Sequence, residues 1–224
     1  MFIIGGAMLL SHFVGSMLRR RFAEYSQVPM PLSGREIAMS MLAQNGISDV
    51  KVISVNGQLT DHYNPAAKTV NLSDPVFNAR SVAAAAVAAH ECGHAVQHAR
   101  SYPMLALRST LVPVVQIGSN LAPWLLMAGL AMLASGAGSM ILLAGIVLFA
   151  STTVFALVTL PVEFDASRRA LVWLEQSGVA QGMSHDMARK ALFWAAMTYT
   201  VAALASIGQL LYYVMMFMNS KNRE

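Results

Sequence analysis

The stretch AAAAVAAHECGH, residues 83–94, does most to decide the fold and the chemistry of this chain. Its alanine and valine run predicts a helix, and on a helix residues i and i+4 share one face. His90 and His94 have this spacing, and Glu91 stands beside them. Two imidazoles one turn apart can bind a single zinc ion, while a neighbouring carboxylate can take a proton from a metal-bound water. The flanking run is too apolar for an exposed face. The pattern therefore favours a metal centre, with two histidine ligands and Glu91 as the catalytic base, over a solvated helix surface.

The composition is that of a membrane protein. Of 224 residues, 56% are hydrophobic and 12% are charged, whereas about 25% of residues are charged in soluble domains. Four intervals without charged residues are long enough to cross a bilayer as helices: 1–18, about 111–133, about 140–162 and about 191–218. Arginines directly after the first interval indicate an uncleaved anchor, because a secretory signal carries its positive charge before the apolar region.

We therefore predict a mainly α, polytopic membrane protein with about four transmembrane helices and a small α+β domain. The predicted parts are a transmembrane anchor (1–18), a domain with the motif helix (19–110), a transmembrane helical hairpin with a turn of small residues at 134–139 (111–162), a helix (163–190), a transmembrane helix (191–218) and a tail (219–224).

Lysine and arginine predict the orientation of these parts. Of 15 such residues, 9 lie between Arg19 and Arg108 and 4 lie between the third and fourth spans. Short cytoplasmic segments retain positive charge, so both regions, and with them the metal centre, are predicted to face the cytoplasm of a multi-pass cell-membrane protein. Four spans would place the carboxyl terminus outside. The basic tail leaves open an alternative in which the last segment is re-entrant or interfacial.

Charge and cysteine content narrow the range of partners. The net charge of +4 is explained by residues that flank the spans, and attraction to a lipid surface is the simplest reason for it. No basic stripe with interleaved aromatic residues is present, so nucleic acid is not expected as a partner. The single cysteine, Cys92, excludes an internal disulfide and is expected to pack rather than to bind metal.

Shorter elements are predicted before the motif helix. Ser33 can cap a helix over 35–44 that Asn45-Gly46 ends. Residues 50–55 and 68–72 have the pattern of strands, and the motif helix is predicted to begin near Ser81. An exposed strand can bind an extended peptide by strand addition, and Lys68–Leu72 is our candidate for such a strand.

A catalytic zinc usually has three protein ligands and one open position, so the two histidines need a partner. Two candidates compete. His98 lies one further turn along the same helix, which places it too far from His90 for a straight helix to bring both onto one metal. Glu163 is favoured because it is the first charged residue after a long apolar interval, at the predicted cytoplasmic end of the third span. Asp165 is a candidate acceptor for the free ring nitrogen of a zinc-bound histidine.

At this point the chain resembles the YugP-like membrane zinc peptidases and, more distantly, the HtpX-type and prenyl-protein peptidases. The resemblance covers nearly the whole chain and rests on Thr60–Pro65, Ala89–Gln97, Leu111–Pro113, Gly118–Asn120 and Glu163–Arg169. It implies a zincin-like domain of the gluzincin type, with one Zn²⁺ per chain on His90, His94 and Glu163 and with Glu91 as base. Gluzincins often carry an acid four residues after the glutamate ligand, whereas Ser167 stands at that position here.

The predicted activity is zinc-dependent hydrolysis of peptide bonds in membrane or membrane-associated proteins at the cytoplasmic face. A further donor is needed for the oxyanion, and we predict His62 or Tyr63 over Arg168 and Tyr199. An alternative is a non-hydrolytic zinc-binding membrane scaffold or adaptor with an oligomeric or membrane-protein partner. A transporter is disfavoured because no acidic residue lies within a predicted span.

Overall fold

The computed structural model describes residues 2–133 and 136–221. This part of the chain is mainly helical with one small sheet. Its elements are α1 (Phe2–Tyr25), α2 (Gly34–Gln44), β1 (Lys51–Val55), β2 (His62–Asn64), β3 (Thr69–Ser73), α3 (Asp74–Phe77), α4 (Val82–Ala99), α5 (Pro103–Ala131), α6 (Gly136–Gln176) and α7 (Met183–Lys221).

Local sequence signals set the bounds of two helices in the first half of the chain. The Ser33 hydroxyl accepts from the backbone N–H of Glu36, and the Glu36 carboxylate accepts from the backbone N–H of Ser33, which together form a capping box before α2. Ser81 likewise caps α4 through its hydroxyl and the N–H of Ala84. The predicted helix over 35–44 and the predicted start of the motif helix are therefore confirmed.

The sheet has the order β1-β3-β2, with β1 parallel and β2 antiparallel to β3. The predicted strands at 50–55 and 68–72 are confirmed as β1 and β3 with slightly shifted ends. Our interpretation of Lys68–Leu72 as an exposed strand for a peptide is wrong, because β3 is the central strand and both of its edges are already paired. The three-residue β2 was not predicted, and it is an edge strand.

The described residues divide into two units. The first, which we call the sheet-containing unit, comprises Phe13–Ala106 and Pro161–Thr198. Its core is centred on α4, of which 14 of 18 residues are buried, and α2 packs against this helix. Eight of the 18 residues of α4 are alanines, so neighbouring elements can approach its backbone closely.

The second unit, which we call the helical unit, comprises Met1–His12, Leu107–Leu160 and Tyr199–Glu224. A small cluster of buried side chains joins α5 to α6: Ala122, Leu126, Leu142 and Ile146. Glycines allow this approach, since a Cβ at Gly129 would lie 2.5 Å from the Leu142 backbone nitrogen and one at Gly145 would lie 2.9 Å from that of Leu126.

Three described helices are long and apolar enough to cross a membrane: Pro103–Ala131, Ala137–Gln176 and Met183–Ser220. They contain the third and fourth predicted spans and all but the last two residues of the second. The helix α1, which contains most of the predicted anchor, is not among them, so the count of four spans stays a prediction.

The junctions between predicted parts differ from expectation at several points. The segment 163–190 is not one helix, because α6 ends at Gln176 and α7 begins at Met183. Gly178 and Gly182 lie between them with φ of 74° and 53°, a conformation that favours glycine. Of the predicted turn at 134–139, residues 134 and 135 lie outside the described part, and α6 already begins at Gly136. Residues 222–224 of the predicted tail also lie outside it.

Candidate metal centre

Three potential metal ligands meet where α4 and α6 pack together. His90 and His94 lie one turn apart on α4, and Glu163 lies on α6. Glu163 Oε2 is 3.3 Å from His90 Nε2 and 3.6 Å from His94 Nε2. Among the described residues, these three form the group of histidine, cysteine and acidic side chains whose ligand atoms could share a metal ion.

The separations and the burial of these atoms fit a zinc ion. Zinc bonds of about 2.0–2.2 Å at a tetrahedral angle place two ligand atoms about 3.4 Å apart, close to both observed distances. The Glu163 side chain is only 4% exposed, and its Oε2 is buried without a hydrogen-bond partner. A buried carboxylate oxygen without a donor is costly unless a cation satisfies it. Two imidazole nitrogens and one carboxylate oxygen are also a ligand set that zinc prefers.

The approach of α6 to α4 depends on a glycine inside the motif. A Cβ added at Gly93 would lie 2.5 Å from the backbone oxygen of Ala166 and 3.1 Å from its Cα. Gly93 therefore lets the α6 backbone pass close to the helix that carries both histidines. Ala166 is itself fully buried and follows Glu163 by almost one turn. The motif thus contributes to the site through the small size of Gly93 as well as through its two histidines.

Gln97 holds His94 from the side opposite the proposed metal. The Nδ1 of His94 lies 3.0 Å from the Oε1 of Gln97. The Gln97 amide nitrogen in turn donates to the Val162 carbonyl at 2.8 Å and to Asp165 Oδ2 at 2.9 Å. Asp165 therefore reaches His94 only through Gln97, which differs from the direct contact that we considered from the sequence.

Ser167 contacts the other histidine. Its Oγ lies 3.1 Å from His90 Nδ1, so both imidazoles have a partner on Nδ1 and direct Nε2 towards Glu163. A histidine ligand usually has such a partner on its second nitrogen. The residue four positions after Glu163 is thus in contact with a ligand histidine even though it is not an acid.

The electrostatic surroundings of His94 favour a positive charge at the centre. Burial lowers the pKa of this imidazole, but the neighbouring Glu163 carboxylate and the charge of Glu91 raise it, and the net effect is a raised pKa. A proton or a metal ion at this position is therefore stabilised by two carboxylates. Glu91 is buried next to the histidines.

Cys92 takes no part in the cluster. Its side chain is fully buried, and its thiol lies 3.5 Å from the carbonyl of Ala38 on α2. Burial raises the pKa of this thiol, which makes a thiolate ligand unfavourable.

The other candidate residues make contacts elsewhere. Tyr63 on β2 places its hydroxyl 2.7 Å from Nδ1 of His98, the alternative third ligand, which is not a member of the cluster. His62 Nδ1 lies 2.8 Å from the carbonyl of Thr60. Arg168 pairs with Asp165 at 2.6 Å, and Tyr199 lies on α7.

Two residues that contact the histidines were not assigned a role from the sequence. Gln97 is three positions after His94 on the same helix, so helical spacing could have indicated it. Ser167 is a small hydroxyl residue in an amphipathic stretch, and only the packing of α6 on α4 brings it to His90.

Comparison with known proteins agrees with this geometry. Residues 1–218 match the family model described as "Putative neutral zinc metallopeptidase". The chain belongs to this family. It is also 40% identical, over 226 residues, to the "Putative membrane protease YugP" of Bacillus subtilis (strain 168), with 100% of this chain and 98% of the relative covered. No solved structure gives a significant match.

Family membership identifies the metal, and the fold indicates which residues could hold it. The family is named for zinc, and His90, His94 and Glu163 could form the metal site. A relationship to a membrane protease also agrees with three helices that are long and apolar enough to cross a bilayer. The chain is therefore assigned to the zinc metallopeptidases and to membrane proteins.

Proposed function

We propose that the protein is a zinc metalloendopeptidase of the HExxH, gluzincin-like type, which hydrolyses peptide bonds of membrane or membrane-associated proteins at the cytoplasmic face. The observation that carries this proposal is the group of His90, His94 and Glu163, in which the Glu163 carboxylate oxygen lies 3.3 Å and 3.6 Å from the two imidazole Nε2 atoms. Three protein ligands leave one position open, which is the arrangement of catalytic rather than structural zinc sites.

Each residue of the centre has a distinct proposed role. Zinc, when bound, polarises a carbonyl and lowers the pKa of a water molecule. Glu91 lies between the histidines in sequence and is buried beside them; as general base it accepts a proton from water and delivers it to the leaving amine. Ser167 and Gln97 keep the two imidazoles oriented.

Tyr63, rather than His62, is the proposed donor to the oxyanion. The Tyr63 hydroxyl reaches α4 through His98, whereas the His62 ring contacts the carbonyl of Thr60 in its own loop. Burial and the charge of Asp49 raise the pKa of Tyr63, so its hydroxyl stays protonated and able to donate. Loss of turnover with unchanged zinc content in Tyr63→Phe would support this role.

We also propose a topology of four spans with the regions 19–110 and 163–190 on the cytoplasmic side. The concentration of lysine and arginine in these regions supports this orientation. The metal centre then faces the cytoplasm, where juxtamembrane segments of other membrane proteins are accessible.

The test is zinc content and proteolysis of detergent-purified protein, with β-casein and a single-span membrane protein as substrates. We expect about one zinc per chain in the wild type, as for a single three-ligand site. Glu163→Ala should lose zinc, and Glu175→Ala, an exposed glutamate on the same helix, should retain it. Glu91→Gln should retain zinc and lose a factor of about 10²–10⁴ in turnover.

Each alternative gives a different result. Full zinc retention in Glu163→Ala together with zinc loss in His98→Ala would make His98 the third ligand. One zinc per chain without cleavage of either substrate would favour the zinc-binding scaffold. In that case the zinc content and the lack of cleavage should be the same in Glu91→Gln as in the wild type. Metal-free, folded wild type would contradict the proposed function altogether.

A further inference from the structure

Gln97 is a fully buried amide whose three polar contacts leave it a single orientation. Its side chain is inaccessible to solvent, and it contacts the Val162 carbonyl, Asp165 Oδ2 and His94 Nδ1. The first two are acceptors under all conditions in which Asp165 is ionised, so the NH₂ group of Gln97 must face them. The carbonyl oxygen of Gln97 must then face His94.

This orientation determines which nitrogen of His94 carries the proton. A carbonyl oxygen can only accept, so Nδ1 of His94 must donate. In a neutral imidazole the other nitrogen, Nε2, then has a free lone pair. Nε2 is the atom that lies 3.6 Å from Glu163 Oε2. Without this constraint, that carboxylate would favour a proton on Nε2, which is the tautomer in which Nε2 has no lone pair for a metal.

Asp165 stabilises this orientation of Gln97. It accepts from Arg168 at 2.6 Å and from Arg169 at 2.5 Å, and the Arg169 guanidinium lies over the Tyr102 ring at 5.8 Å. Two cations keep the carboxylate ionised and fixed in place. The chain of contacts therefore runs from two arginines through Asp165 and Gln97 to His94.

The contact of the other histidine lacks this property. Ser167 Oγ, 3.1 Å from His90 Nδ1, is a hydroxyl that can either donate or accept. It can orient the ring of His90 but does not determine its tautomer. The two histidines thus have partners of different chemical kinds. Gln97 determines the tautomer of His94, whereas Ser167 does not determine that of His90.

We propose that Gln97 is a positioning residue of the metal centre, which fixes His94 in the tautomer with a proton on Nδ1 and so keeps Nε2 ready for zinc. This inference rests on the proposed metal site. It assigns to Gln97 an effect on zinc affinity that a residue serving only to fill space would lack.

The direct test is the tautomer of His94 in the metal-free protein. Protein labelled with ¹⁵N-histidine is stripped of metal and measured by NMR at alkaline pH, where imidazoles are neutral, and His94→Gln identifies the resonance. We expect a protonated Nδ1 and an unprotonated Nε2 in the wild type, and an increased share of protonated Nε2 in Gln97→Met. Protonated Nε2 in the wild type would overturn the proposal without need of any variant.

The second test is zinc affinity by competition with a chelator. Gln97→Met has a similar volume and no acceptor, and we expect its affinity for zinc to fall about 10- to 100-fold, as is typical when a partner of a ligand histidine is removed. Gln44→Met is a control for the glutamine-to-methionine change, because Gln44 is exposed, accepts from Trp173 in the same unit and does not contact the histidines. Its zinc affinity should equal that of the wild type.

These measurements separate the inference from the proposed function. Unchanged zinc affinity and tautomer in a folded Gln97→Met protein that still cleaves substrate would overturn the role of Gln97 and leave the protease intact. A wild type that has the expected tautomer but binds no zinc would contradict the proposed function instead. An equal loss of zinc affinity in Gln44→Met would show that general destabilisation is the cause, and would also overturn the role of Gln97.

Discussion

Several polar side chains of the sheet-containing unit have a different kind of partner from those of the helical unit. In the sheet-containing unit such groups join separate elements, as Gln97 does with Asp165 and Trp173 with Gln44. In the helical unit, hydroxyls bond back to their own helix, as Ser151 does to Leu148 and Thr159 to Phe155. A helix surrounded by lipid must satisfy its polar groups internally, whereas a unit in water can place them between elements.

The two units also differ in what they expose. Large apolar side chains are at least half exposed along the helical unit, among them Trp124, Met140, Val147, Leu204 and Leu211. In the sheet-containing unit the apolar residues of α4 are almost completely buried. The exposed apolar side chains of the helical unit agree with helices that are long and apolar enough to cross a bilayer.

The largest expected effect comes from placing a charge on an exposed methionine of each unit. Met127 on α5 is 57% exposed and Met39 on α2 is 51% exposed. Met127→Asp should cost about 2.5–3.5 kcal/mol of membrane insertion if its surroundings are lipid, and Met39→Asp should change stability by only about 0.5 kcal/mol if its surroundings are water. For both variants, the measurement is the fraction of protein that remains in the membrane after alkaline extraction. Equal insertion would contradict the comparison.

A smaller effect is expected when a methyl group is added at a close helix contact of each unit. Gly93→Ala should destabilise the α4–α6 contact by about 1–3 kcal/mol and reduce zinc binding, because its Cβ would meet the Ala166 backbone. Gly129→Ala, which meets Leu142 in the helical unit, should lower thermal stability but leave zinc binding unchanged. Gly6→Ala has open space and serves as control. Zinc loss in Gly129→Ala would show that the two units do not act separately.

Removal of a hydroxyl should lower thermal stability only where that hydroxyl satisfies a backbone N–H at a helix end. Ser33→Ala removes the cap of α2 and should cost about 1 kcal/mol, seen as a lower midpoint of thermal unfolding in detergent. Ser151→Ala, whose hydroxyl only returns to the Leu148 carbonyl, should leave that midpoint nearly unchanged. Equal shifts for both variants would be evidence against this difference.

The smallest change is expected at Cys92. Burial raises the pKa of its thiol, so at neutral pH less thiolate is present than for an exposed cysteine, and a charged maleimide should not label the folded protein. In a Cys92→Ala background, Met39→Cys should react rapidly and Met127→Cys slowly, since a charged reagent is excluded from lipid. Rapid labelling of Cys92 before denaturation would contradict its burial.

Local elements could be predicted well from the sequence. Ser33 and Asn45-Gly46 indicated the ends of α2, and Ser81 indicated the start of α4, because caps act over only a few residues. The strand β2 was missed because it has three residues and a polar composition. The position of β3 in the centre of the sheet was predicted wrongly, because strand order depends on contacts between distant segments rather than on the pattern within a strand.

The sequence by itself determined that two histidines share one face of a helix and that three long apolar helices follow it, since both features depend on residue order over a few turns. Only the tertiary structure decided that Glu163 rather than His98 lies with those histidines, and that Ser167 contacts the second nitrogen of His90. The physical reason is the close approach of α6 to α4 at Gly93. Such an approach depends on the shapes of two distant segments, and no local pattern encodes it.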